Sequence, residues 1–130
     1  MDVRLRLLIR QRAGNRCEYC LIRQEDAHFV PFHIEHIIPK KHDGNDDPSN
    51  LALACHHCNL HKGSNLTGID PESGNITLLF HPRQEKWEEH FELEEGTLIG
   101  RTPMGRVTVR VLNMNAAERI QLRSRIRLQP

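Results

Sequence analysis

Four cysteines stand in two Cys-x-x-Cys pairs, Cys17 with Cys20 and Cys55 with Cys58. No other feature limits the fold of this chain so strongly. The two sulfurs of one such turn lie close together, so two turns can bring four thiolates into a tetrahedron around one ion, with Zn–S near ~2.3 Å. A redox motif needs one pair, not two. Paired Cys-x-x-Cys turns in a chain without a secretion signal argue for metal rather than disulfides. The gap between the pairs is longer than in a simple zinc ribbon, so something is inserted. A structural zinc would then tie the start of the module to its closing helix, and the insert must pack back against that helix.

The insert and the second pair read FHIEHIIPKKHDGNDDPSNLALACHHCNLHKG, from Phe32 to Gly63. Residues 28–30 and 32–38 are rich in β-branched and aromatic residues, which predicts two short strands broken at Pro31. Lys40 to Ser49 is a loop by composition. Leu51, Ala52 and Leu53 return to the core, and Cys55 to His61 predicts a short helix capped by Gly63. This topology would bring His36 near Asn59.

Hydrolysis of a phosphodiester needs a base for water, a cation for the developing charge, and basic groups to hold the backbone. His36 suits the base because imidazole titrates near working pH. Glu35 and Asn59 offer hard oxygen donors suited to Mg2+ or Mn2+. Lys62 lies one turn beyond Asn59 and, with Lys40 and Lys41, is a candidate phosphate contact. Asn50 suits the task of orienting His36. Adjacent strand residues face opposite ways, so Glu35 and His36 can share one site only where the backbone bends or the strand ends. Of the remaining histidines, His33, His42, His56, His57 and His61 are expected in structural or surface roles.

The series IEHIIP, then Ser-Asn-Leu, then CHHCNLHKG resembles the motif of the HNH endonucleases. The match runs from residue 35 to 62, and Cys17 and Cys20 place it with the zinc-bearing branch. The resemblance implies an α+β chain with a ββα-metal core, and DNA cleavage leaving 5′-phosphate and 3′-hydroxyl ends. It makes His36 the general base, Glu35 and Asn59 ligands of the catalytic cation, Asn50 the residue that holds the histidine loop, and Cys17, Cys20, Cys55 and Cys58 the structural zinc site. Asn59 stands where the last histidine of the family often is. The alternative from another class is a non-catalytic, zinc-stabilised nucleic-acid-binding module. The cysteines fit it equally well, but it has no need of an imidazole beside oxygen donors.

The length suits a single core with an extension: residues 1–65 as the nuclease core with an amino-terminal helix, and residues 66–130 as an α/β extension packed on it. Val3, Leu5, Leu7, Leu8 and Ile9 predict an amphipathic helix with arginines outside. In the extension, Ile76 to Phe80 predicts a strand, residues 84–90 a short helix, and Glu95-Gly96 a hairpin turn. Thr102-Pro103 predicts a helix start, with Met104, Val107, Val111 and Leu112 at helical spacing, although Val107 and Val109 also fit a strand. Asn115 predicts the cap of a last helix.

The formal net charge is only +1, but it is segregated. Residues 85–95 are acidic and residues 101–127 are rich in arginine. These are either two opposed faces or two solvated helix surfaces. Arg119, Arg123 and Arg127 would line one helix face and could track phosphates. No apolar run approaches the ~18 residues of a membrane span. The amino-terminal MDVRLRLLIRQR is interrupted by arginines and does not read as a secretion signal, so a cytoplasmic DNA-binding protein is expected. A homodimer would let two sites cut both strands, though no residue specifies it.

Overall fold

The computed structural model describes residues 1–27 and 29–130. The first helix, α1 (Val3–Arg12), starts where Asp2 Oδ1 accepts the Leu5 amide at 2.8 Å, an ordinary N-cap. Its packing departs from the expected stripe. Ile9 is buried and Leu5 partly so, whereas Val3, Leu7 and Leu8 are exposed. Two of its arginines, Arg10 half-buried and Arg12 exposed, bond main-chain carbonyls of the core. Arg10 reaches the Phe32 carbonyl at 2.9 Å, and Arg12 the carbonyls of Pro48 and Leu51 at 3.0 and 2.6 Å. Guanidinium forks therefore hold α1 on the hairpin below it, with the aliphatic stems covering apolar surface.

That hairpin pairs β1 (His33–His36) antiparallel with β2 (Leu51–Ala54), His36 opposite Leu51 and His33 opposite Ala54. All four residues of β2 are buried, which accounts for its continuous apolar run. The strand expected over 28–30 is not formed at Phe29 and Val30, which lie in a turn and a bend ahead of Pro31; His28 lies outside the described residues. Then α2 (His56–Lys62) follows, ending at Gly63, whose φ is +51 and whose amide bonds the Asn59 carbonyl. A positive φ explains glycine there.

The extension begins with an exposed hairpin, β3 (Thr67–Ile69) and β4 (Ile76–Leu78). Its first strand lies inside a segment whose turn residues mask it in the sequence. Asp70 closes the turn by accepting from the Glu72 and Ser73 amides and the Ser73 hydroxyl. The helix expected over 84–90 shrinks to one turn, α3 (Trp87–His90), running directly into β5 (Phe91–Glu94), which pairs with β6 (Thr97–Gly100). Glu95 and Gly96 both have positive φ, 48 and 87 degrees, as a two-residue hairpin turn requires.

Helix α4 (Pro103–Val111) settles the 107–109 ambiguity in favour of a helix, with Thr102 Oγ1 accepting the Gly105 amide. Gly68 lies so close to it that a Cβ would fall 2.6 Å from Val107 and Val111. The last helix, α5 (Ala117–Arg125), is preceded by Ala116 rather than capped by Asn115. Asn115 instead holds β6, accepting from the Leu98 amide and donating to its carbonyl. Among the described residues no helix is long and apolar enough to cross a membrane.

Candidate metal centre and catalytic face

The cysteine centre forms at the junction of the amino-terminal turn and α2. Leu21 takes φ 71, which lets its amide reach back to the Cys17 carbonyl at 3.0 Å while the Cys17 amide bonds the Ile22 carbonyl at 2.9 Å. The Cys20 amide points at Cys17 Sγ at 3.5 Å, and Cys55, at the N-cap of α2, receives the Cys58 amide at 3.4 Å. These N–H groups aim at sulfur, the arrangement that suits thiolates. All four cysteines are buried and their sulfurs lie within 4.8 Å of one another. Cys20 and Cys55 Sγ are 3.7 Å apart, far beyond a disulfide bond of ~2.05 Å. The spacing matches the roughly 3.8 Å expected between sulfurs that share one tetrahedral zinc. The residues present fit structural zinc. Glu18 ties this centre to the hairpin, donating its amide to the Leu53 carbonyl and accepting the Leu53 amide on Oε2. Arg83 of the extension pairs with the same carboxylate.

Alternation along β1 separates the two residues expected to share the catalytic site. Glu35 is turned inward and is only 6% exposed. Its Oε2 lies 3.1 Å from Lys62 Nζ, and its Oε1 accepts the Tyr19 hydroxyl. Lys62 is also buried and donates to the Ile37 carbonyl at 2.9 Å. It therefore does not lie on the surface where a phosphate contact was expected. Burial pushes the Glu35 carboxyl above its ordinary range, and the charge of Lys62 and the bond from Tyr19 offset part of that push. The same burial, with the neighbouring carboxylate, raises the Tyr19 phenol.

His36 faces the other way. Its Nε2 is 2.6 Å from Asp46 Oδ1, with 21% of the His36 side chain and 53% of the Asp46 side chain exposed. Asp46 comes from the loop between the strands, and composition alone marks that loop only as irregular. The bond from His36, with Lys40 nearby, holds the Asp46 carboxyl below its usual value. Lys40 Nζ lies 3.9 Å from the same oxygen, and both Lys40 and Lys41 are exposed.

Asn50 clamps the loop that carries these groups. Its Oδ1 accepts the Ile38 amide at 2.8 Å, and its Nδ2 donates to the Ile38 and Asn45 carbonyls at 3.0 and 2.9 Å. A three-bond clamp fixes the backbone two residues beyond His36. Gly44 completes it, because a Cβ there would fall 1.6 Å from the Ile38 carbonyl oxygen. Asn59 is half-buried on α2, its backbone amide bonded to the Cys55 carbonyl at 2.9 Å.

Of the other histidines, His33 Nε2 meets His56 Nδ1 at 3.1 Å, and His57 Nε2 meets the Asn113 carbonyl at 2.7 Å. His42 sits exposed in a short turn, and the His61 ring lies 4.4 Å from that of His57. The arginine row does not track one face. Arg123 is 1% exposed and donates to the carbonyls of Gly96 and Met114 at 2.7 and 2.5 Å. Arg119 points at Cys55, and Arg127, beyond the end of α5, is exposed with φ 53.

The HNH endonuclease family matches residues 17–65, the segment that holds the four cysteines, the β1–β2 hairpin and α2. Two curated relatives are similar over most of the chain. The Septu protein PtuB of Bacillus thuringiensis is 26% identical over 119 residues, covering 89% of this chain and 43% of that protein. The Septu protein PtuA of Bacillus mycoides (strain KBAB4) is 26% identical over 141 residues, covering 87% of this chain and 19% of that protein. The chain thus spans less than half the length of either relative. No solved structure matches it.

Proposed function

From a chain whose residues 17–65 belong to the HNH endonuclease family, we propose a divalent-cation-dependent endonuclease that hydrolyses DNA, with His36 as general base. Residues 1–65 carry the chemistry and residues 66–130 are the extension packed on them. The observation that carries this reading is the pairing of His36 Nε2 with Asp46 at 2.6 Å on an open face. A carboxylate that accepts from Nε2–H holds the imidazole in the tautomer whose Nδ1 lone pair is bare. That lone pair takes a proton from water as the water attacks phosphorus, and His36 becomes an imidazolium facing Asp46. Asp46 is a positioning residue here, and the Asn50 clamp fixes the backbone from which His36 projects. Lys40 and Lys41, exposed at the rim of the same loop, hold the phosphate backbone.

Glu35 and Asn59 are the oxygen donors assigned to the cation, Mg2+ or Mn2+. The Glu35 carboxylate is already paired with the Lys62 ammonium at 3.1 Å and faces inward from β1, away from His36. To hold the cation, Glu35 would have to give up its pair with Lys62. A bound cation supplies positive charge to the leaving oxygen as the P–O bond breaks.

Incubation of the protein with plasmid DNA tests this reading. Nicking is expected with Mg2+ or Mn2+ and not with EDTA, and His36→Ala is expected to lose it while keeping its circular dichroism and zinc content. Cleavage that survives His36→Ala removes the base. Asp46→Asn is expected to lower kcat by about 10- to 100-fold, within the range of outer-shell and general-base effects, with little change in KM. An intact DNA substrate under every divalent ion, bound with ordinary affinity, would favour the non-catalytic module instead.

A further inference from the structure

We infer that helix α5 completes the cysteine centre, with Arg119 acting as a positioning residue for the metal's thiolates. This rests on the reading of the four cysteines as a zinc site. Arg119 Nη2 donates to Cys55 Sγ at 3.3 Å, joining residues 64 apart in the chain. The side chain is half-buried, and its Nε is buried without a partner among the described residues. A solvated phosphate-binding arginine would not leave an N–H in that position. The contact commits the guanidinium to the sulfur.

The electrostatics call for such a group. Four thiolates around Zn2+ carry a net charge of −2, and repulsion among them weakens the centre unless outside donors spread it. Two backbone amides, from Cys20 and Cys58, already point at Cys17 and Cys55. Arg119 adds a full positive charge and a second donor to Cys55. Charge-assisted bonds are about twice as strong as neutral ones.

The rest of α5 is built to hold Arg119 still. One turn further on, Arg123 is buried and anchored to Gly96, Met114 and Asn115. Leu122 packs on the core. His57 Nε2, on α2, meets the Asn113 carbonyl just ahead of α5 at 2.7 Å. Helix α2 and its N-cap Cys55, which together supply two of the sulfurs, are therefore held at two points, by Asn113 on His57 and by Arg119 on Cys55.

The test uses the full chain in its zinc form and with Co2+ in place of zinc. Arg119→Met should release zinc to a chromogenic chelator about 10- to 100-fold faster, the size of effect typical of outer-shell partners. It should also shift the sulfur-to-cobalt charge-transfer band. Arg119→Lys, which keeps the charge but not the fork, should fall between Arg119→Met and the natural protein. Arg125→Met, on an exposed residue of the same helix, should match the natural protein in both readouts. An unchanged release rate and an unchanged band in Arg119→Met overturn the inference. The same change in Arg125→Met also overturns it, because loosening of α5 would then be the cause. If Arg119→Met does not fold, an unshifted band in Arg119→Lys is the overturning result. A natural chain that purifies without zinc sinks the zinc reading itself, which a null Arg119 result would leave standing.

Discussion

The cysteine-bound core and the extension are held together by different chemistry. In residues 17–65 the ties are four sulfurs and an amide clamp: the cysteines converge within 4.8 Å, and Asn50 pins the loop after His36 with three bonds. In residues 66–130 arginines perform this task. Arg106 makes a two-pronged pair with Asp70, 2.9 Å on each prong, joining the β3–β4 turn to α4. Arg123 joins α5 to the β5–β6 turn. The contrast bears on reading basic sequences: within one arginine-rich stretch Arg106, Arg119 and Arg123 are buried or half-buried, while Arg101, Arg110, Arg125 and Arg127 stay exposed. Trp87 spans the two regions, its indole N–H donating to the Tyr19 carbonyl at 2.9 Å, so it reports on both.

The largest effect should come from the metal. Cys58→Ser, or a strong chelator, is expected to unfold the core, because structural zinc contributes about 10–16 kcal/mol of apparent binding free energy in small modules. Trp87 fluorescence and near-ultraviolet circular dichroism would follow the loss. An unchanged Tm after chelation would show that the core does not depend on its sulfurs, and the contrast would fail.

Next in size is the buried pair beneath the hairpin. Lys62→Met should cost about 3–5 kcal/mol by leaving Glu35 buried and uncompensated, whereas Lys62→Met with Glu35→Gln should recover most of it. Urea unfolding of the four combinations measures the coupling, and additive costs would mean that the two groups do not depend on each other. In the extension, Arg123→Met is expected to cost about 2–3 kcal/mol, the value of charged hydrogen bonds lost to buried carbonyls. A surface arginine would cost almost nothing, so a change within about 0.5 kcal/mol would return Arg123 to the exposed face.

The smallest effect is a pH dependence. Arg106 and then the Ser73 hydroxyl hold the Asp70 carboxyl well below the ordinary carboxylate range. A depressed acid contributes stability that is fully present above its unfolded pKa and is lost as pH falls through its folded pKa. The Tm gap between the natural protein and Asp70→Asn should therefore be constant near neutrality and narrow only below about pH 4. A gap that narrows between pH 5 and 8 would place the controlling group elsewhere.

Much of this was legible in the residues themselves. Two Cys-x-x-Cys pairs specify a four-sulfur centre because tetrahedral metal chemistry accepts few other spacings, and the structure gathers those four. A strand within 32–38, a polar loop and a helix ending at Gly63 followed from a β-branched run, loop composition and the glycine, whereas β2 was marked only as a return to the core because its Leu-Ala-Leu-Ala run carries no strand signal of its own. Thr102-Pro103 marked α4, and Glu95-Gly96 marked the last hairpin. Strand β3 was hidden because Gly68 and the Asp70–Asn75 turn give its neighbourhood the composition of a loop. Asp46 was hidden because nothing in a polar loop tells which carboxylate will meet an imidazole.

The sequence by itself determined the sulfur set, the first strand with its histidine and the short helix that follows the loop, since each depends on local spacing or local backbone preference. Only the tertiary structure decided which way the charged groups turned. Strand alternation sent Glu35 inward and His36 outward, and the buried carboxylate then drew Lys62 and Tyr19 to itself. Arg119 and Arg123 share a helix and a periodicity, yet one points at a sulfur and the other at main-chain carbonyls. A long cation takes the partner that the folded chain brings within reach, and that partner can lie anywhere along the polymer.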